Sequence, residues 1–153
     1  MSEHVATVAW QRGDQAFIDN RYNRAHRWIF DGGAEVPASS SPSVVRPPLS
    51  DPAGVDPEEA FVASLSSCHM LWFLFFAAQA KHLVDRYEDD AIGTIGKTAA
   101  GKTAFTRVTL RPRVTLAGGG GIEAAELQRL HHEAHAHCFI ANSVTAELVV
   151  EPR

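Results

Sequence analysis

Apolar and polar positions alternate in short bursts along most of the chain and merge into one long apolar run near its middle. Residues 5–10 are rich in β-branched and apolar side chains and end in Gln11-Arg12-Gly13-Asp14, which predicts a strand and a turn. Residues 25–30 alternate, with His26, Trp28 and Phe30 on one face and Ala25, Arg27 and Ile29 on the other, and Asp31-Gly32-Gly33 ends this second strand. From 34 to 54, five prolines and five serines without apolar periodicity predict a long surface loop. Asp56-Pro57-Glu58-Glu59 then reads as a helix start: Asp56 caps, Pro57 suits the first helical position, and the two carboxylates complement the helix dipole. Residues 60–80 carry no formal charge and continue that helix. Two strands are expected at 88–99 and 104–116, the second placing Val108, Leu110, Val114 and Leu116 inward and Arg107, Arg111 and Arg113 toward water. Four glycines at 118–121 lead to an amphipathic helix over 123–138 and a closing strand over 143–150. The order β-β-α-β-β-α-β predicts an α+β fold in which a mainly antiparallel sheet packs on helices.

Composition narrows the class. A chain of 153 residues, 45% hydrophobic and 21% charged, fits one domain over 1–153 with a real core. With 14 Lys+Arg against 18 Asp+Glu, a net charge of −4 gives no general attraction to nucleic acid or anionic lipid. The 60–80 run has the length of a membrane span. Ser64, Ser66, Ser67, His69 and Gln79 interrupt it and no basic anchor flanks it, so it is read as the central helix of a core or a dimer. Residues 1–10 lack the basic and apolar regions of a secretory signal, and the expectation is a cytoplasmic protein.

Chemistry centres on two cysteines. Cys68 and Cys138 lack C-x-x-C spacing, so any joint action has to be assembled by the fold. On a helical projection Cys68 shares a face with Phe61, Trp72, Phe75 and Gln79. An apolar setting raises a thiol's pKa, and a reactive Cys68 therefore requires a cation brought by another element. Leu127, Leu130, His131, Ala134 and Cys138 form one stripe of the second helix. Two cysteines facing the same helix interface have the geometry a disulfide requires.

The segment from Asp56 to Met70, with Pro57-Glu58 ten residues before Cys68, resembles the signature of the osmotically inducible protein C and organic hydroperoxide resistance family. Ala134-His135-Ala136-His137-Cys138-Phe139-Ile140-Ala141-Asn142-Ser143 is similar to that family's second-cysteine segment. The resemblance implies an intertwined homodimer, its sheets wrapped around two long central helices, that reduces organic hydroperoxides. Cys68 matches the peroxidatic cysteine, Cys138 the resolving cysteine, and Glu58 the glutamate that holds an arginine near the thiolate. That arginine comes from the N-terminal region, where Arg21, Arg24 and Arg27 all lie. Arg24 is preferred because it shares strand parity with His26, Trp28 and Phe30. Glu58 lies about 15 Å from Cys68 along an unbroken helix, so either the helix breaks or Glu58 and Arg24 serve the partner's thiol. No cofactor is implied; an external lipoyl-type or other small dithiol restores the thiols. Phe61, Trp72, Phe75 and Phe76 are the expected apolar substrate-binding side chains. Phe139 stands where strongly active family members often carry proline.

Two other readings compete. His131, His135 and Cys138 recur at i, i+4 and i+7, a spacing that can gather metal ligands, although His132-Glu133-Ala134-His135 is one residue short of H-E-x-x-H. The favoured alternative to ligation leaves His132 and His137 exposed and His131 partly buried, with no metal bound. A non-enzymatic module for a small hydrophobic ligand or partner would instead use the apolar helix surfaces and leave the cysteines as core residues.

Overall fold

A computed structural model describes all residues, Met1–Arg153. It forms two compact units, Met1–Ala60 and Phe61–Arg153.

In the first unit, β1 (Ala6–Ala9), β2 (His26–Phe30) and β3 (Glu35–Ala38) form an antiparallel sheet in that order. The stretch 34–54, expected to be a loop throughout, therefore begins with an edge strand. Pro37 obscured it, but an edge strand tolerates proline because one side of its backbone needs no ladder donor. Pro37 faces Arg27 across the sheet and its carbonyl accepts from Val55 N at 3.0 Å on the other side. Asp31-Gly32-Gly33 is a hairpin turn, closed by Gly33 N donating to Phe30 O at 2.9 Å.

The long helix α1 (Pro57–Gln79) starts as its sequence requires. Asp56 Oδ1 accepts from Glu59 N at 2.7 Å and Glu59 Oε2 accepts from Asp56 N at 3.1 Å, a reciprocal capping box. By length and composition α1 could cross a bilayer. Its covered residues are Leu65, His69, Phe73 and Ala77, one stripe at four-residue spacing. This corrects the projected grouping of Cys68 with Phe61, Trp72, Phe75 and Gln79 as the inward face: Cys68 is half-buried and Phe75 is exposed.

In the second unit, β4 (Val84–Asp89) pairs antiparallel with β7 (Pro112–Leu116), while β5 (Ile92–Lys97), β6 (Thr103–Leu110) and β8 (Glu147–Val150) form another sheet. The β5–β6 pairing is antiparallel and β6–β8 parallel. The expected strands 88–99 and 104–116 are thus each divided in two, and the order is β-β-β-α-β-β-β-β-α-β. The breaks fall at Asp90-Ala91 and Arg111, where the chain passes from one sheet to the other. Asp89 holds that corner: Oδ1 accepts from Arg111 N at 2.6 Å and Oδ2 from Ser66 Oγ at 2.5 Å. Arg111, expected to face water, is half-buried there and donates through Nε to Asp90 O.

Helix α2 (Ala124–His137) is N-capped by the Glu123 side chain. Its buried Leu130, His131 and Ala134 repeat the expected stripe. Phe73 and Ala77 of α1 meet Leu130 and Ala134 in one core cluster; Leu65, Val108 and Leu110 form a second. Burying each of the phenylalanine, leucine and valine side chains among these contributes about 1.5–3 kcal/mol. The expected closing strand over 143–150 begins only at Glu147, because Ala141–Ser143 is a 3-10 turn in which Ser143 Oγ donates to Phe139 O at 2.7 Å.

Candidate active site

The two thiols are brought together in the second unit. Cys68 lies midway along α1, half-buried, and Cys138 is the fully buried C-cap of α2; both are free. Burial pushes the Cys138 thiol up to about 11, helped by a hydrogen bond with the neighbouring Cys68 thiol. Ala141 N donates to Cys138 Sγ at 3.4 Å, an opposing but smaller effect. Cys138 is therefore a neutral thiol near pH 7, and the more accessible Cys68 is the better placed of the two to meet a small oxidant.

A buried histidine pair joins the same two helices. His69 Nε2 is 3.0 Å from His131 Nδ1, so one N–H joins α1 to α2, and the rings are nearly parallel with centroids 5.3 Å apart. Phe73 stacks on His131 at 4.4 Å. Burial first, then the neighbouring His131 and His135, pushes His69 down to about 3; burial pushes His131 to about 4. Both rings are neutral at physiological pH. The sequence placed His131 on the apolar stripe of α2 but gave it no partner; the usable signal was a second histidine, His69, inside an otherwise apolar helix. The rival ligand set is not assembled: no group of three or more His, Cys, Asp or Glu side chains is placed to hold a metal ion. His131 turns toward His69, while His132 and His137 are exposed.

Arg24 and Glu58 line one cleft of the first unit. The Arg24 guanidinium sits over the Tyr22 ring, 4.0 Å from its centroid. It donates to Tyr22 O, to Asn20 O at 3.1 Å and to Asn20 Oδ1 at 2.9 Å. Asn20 reaches that position with φ of 62°, in the left-handed region that asparagine tolerates. No carboxylate pairs with Arg24, whereas the exposed Arg27 pairs with Glu35 at 2.8 Å. Arg21 is exposed. Glu58 Oε2 is buried without a hydrogen-bond partner, since the helix cap uses Glu59 instead.

The four expected substrate-binding rings divide. Trp72 stacks near Phe76 at 5.8 Å, meets Phe75 edge-on at 5.7 Å, and adds Phe139 at 5.7 Å and His137 at 5.3 Å. Phe139, the neighbour of Cys138, thereby joins this aromatic group. Phe61 lies elsewhere, stacked on Phe105 at 4.5 Å in the second core cluster.

Residues 50–153 match the family described as OsmC-like protein, a stretch that holds Glu58 and both cysteines and leaves Arg24 outside. The chain belongs to the OsmC-like family. Along its whole length it is similar to an OsmC-like protein of unknown function from Vibrio cholerae, with 55% identity, full coverage of both chains and a TM-score of 0.97. An organic hydroperoxide resistance protein OsmC from Legionella pneumophila shares the fold at 14% identity, with 99% of this chain and 96% of that one aligned and a TM-score of 0.69. The organic hydroperoxide resistance protein OhrB of Bacillus subtilis does so at 14% identity, 99% and 98% coverage and a TM-score of 0.64. No curated protein matches the chain.

Proposed function

We propose that this OsmC-like protein is a cytoplasmic, thiol-dependent reductase of organic hydroperoxides. The observation that carries the reading is the thiol pair: an accessible Cys68 in hydrogen-bonding reach of a buried, neutral Cys138. The Cys68 thiolate attacks the distal peroxide oxygen, the O–O bond breaks, and the alkoxide leaves as an alcohol after taking a proton. Cys68 is then a sulfenic acid. Cys138 displaces its hydroxyl as water, forming a disulfide that an external dithiol, of lipoyl or similar type, reduces.

Arg24 is the cation that favours the Cys68 thiolate. It is half-buried and free of carboxylate partners, so its charge is available. The unbroken α1 separates Glu58 from Cys68 by about 15 Å along its axis, which favours Glu58 and Arg24 acting on the thiol of a second copy. A homodimer also gives cover to Leu71, Phe75 and Phe139, large apolar side chains that are 61%, 49% and 70% exposed in the single chain. The rings around Trp72 favour an apolar peroxide over hydrogen peroxide.

The test is intact and peptide mass spectrometry of the reduced protein after one equivalent of cumene hydroperoxide. A rapid loss of two hydrogens, mapped to a Cys68–Cys138 cross-link, is the expected result. Two unmodified thiols would sink the reading and leave a binding role for the fold.

A further inference from the structure

Helices α1 and α2 meet along stripes whose apolar members repeat. On α1 the covered positions are Leu65, His69, Phe73 and Ala77; on α2 they are Leu130, His131 and Ala134, with Cys138 at the end. Apolar contact is non-directional. A slide of either helix by one turn, about 5.4 Å, therefore exchanges one apolar neighbour for another at little cost. The thiols do not tolerate that slide. A disulfide needs Cα atoms within about 7 Å and Cβ atoms about 4 Å apart, and in this register Cys68 and Cys138 are in hydrogen-bonding reach of each other.

The histidine pair is what distinguishes this register from its neighbours. The contact between His69 Nε2 and His131 Nδ1, at 3.0 Å, is the one side-chain hydrogen bond between the two helices. His69 is 0% and His131 4% exposed, so no water competes for it. Phe73, stacked on His131 at 4.4 Å with 27° between the planes, fixes how that ring presents its nitrogen. A slide in either direction leaves both inner nitrogens buried without a partner, and their desolvation opposes it. Cys68 is the residue before His69, so the same bond sets the height of the Cys68 thiol on α1. Cys138 ends α2 seven residues after His131.

Stability does not account for the pair. His69 Nδ1 and His131 Nε2 are both buried without a hydrogen-bond partner. Whichever ring carries the shared proton, one outer nitrogen is an N–H without an acceptor and the other a lone pair without a donor. Two leucines would fill the space free of that cost, and such replacements of a buried polar pair are often neutral or stabilising. A polar pair kept in an apolar helix interface at a cost in stability is a device that specifies register.

We propose that His69 and His131 are positioning residues whose hydrogen bond fixes α1 against α2 in the register that lets Cys68 and Cys138 close a disulfide. That this disulfide belongs to a catalytic cycle rests on the peroxidase reading; the placement of the thiols by the histidines does not.

The test equilibrates the full-length protein with mixtures of reduced and oxidised glutathione. Two protein thiols become a disulfide as oxidised glutathione becomes two thiols, and the balance gives the effective concentration of the pair. His69→Gln keeps an amide in reach of His131 Nδ1, whereas His69→Met has a similar shape and no such group. Effective concentration should stay within about twofold of the parent in the Gln variant and fall on the order of tenfold in the Met variant. The double variant His69→Leu with His131→Leu, which orphans no nitrogen, should unfold at no lower urea concentration than the parent yet show the same fall. Equal effective concentrations in the Gln and Met variants, or a Met variant that fails to fold where the Gln variant folds, overturns the proposal. Thiols that ignore cumene hydroperoxide remove the peroxidase reading, and the glutathione balance still decides the role of the histidines.

Discussion

The two units of this OsmC-like chain are held together by different physics. In residues 61–153, Leu65, Phe73, Ala77, Val108, Leu110, Leu130, Ala134 and Cys138 are fully covered, and order follows from close packing of apolar side chains. In residues 1–60, Ala38 is the one apolar residue buried to that degree, and the region relies on side chains that bond its turns: Asn23, Gln15, Asn20 and Ser39. The difference teaches where each kind of chemistry is placed. Cys68 and Cys138 sit where α1 and α2 pack, whereas Arg24 and the rings of Trp10, Phe17 and Tyr22 sit on a hydrogen-bonded surface with little core beneath it.

The sharpest way to break that contrast is to truncate one phenylalanine in each unit. Phe73→Ala removes a fully buried ring and is expected to cost about 3–5 kcal/mol in urea unfolding. Phe17→Ala removes a half-exposed ring and should cost less than about 1 kcal/mol. Similar losses would mean that the first unit has a core of its own.

Acid should act next, and on the packed unit. His69 and His131 have folded pKa values near 3 and 4, below the 6.5 of an exposed imidazole. Their burial as neutral rings favours the native state above pH 6.5, and this contribution is lost as pH falls from 6.5 toward 4, where the unfolded chain binds protons that the folded one refuses. Unfolding free energy measured across that window should fall with acidity, and His69→Leu should flatten the slope. An unchanged slope in that variant would show that the pair does not govern acid stability.

The smallest effects belong to the arginines of the first unit. Arg27→Ala breaks an exposed ion pair with Glu35 and is expected to leave both stability and hydroperoxide turnover unchanged. Arg24→Ala should also keep stability but lower turnover. Equal turnover in the two variants would remove Arg24 from the site.

Local chemistry was legible in the sequence. Asp56, Pro57 and Glu59 specify the start of α1 within four residues, because a cap, a fixed φ and a returning carboxylate act over one turn. The stripe from Leu127 to Cys138 is a matter of helical period alone, and it placed Cys138 on the buried side at the end of α2. Tertiary structure decided the rest. Strand breaks at Asp90-Ala91 and Arg111 arise because Asp89 bonds Ser66 and Arg111, 23 and 22 residues away in opposite directions along the chain. The His69–His131 bond joins residues 62 apart, and no window of neighbouring residues contains it. The sequence determined what each short segment prefers, since propensity and capping are short-range. Which thiol is buried, which histidine finds a partner and which carboxylate stays unpaired depend on contacts between distant segments, and only the folded chain brings those together.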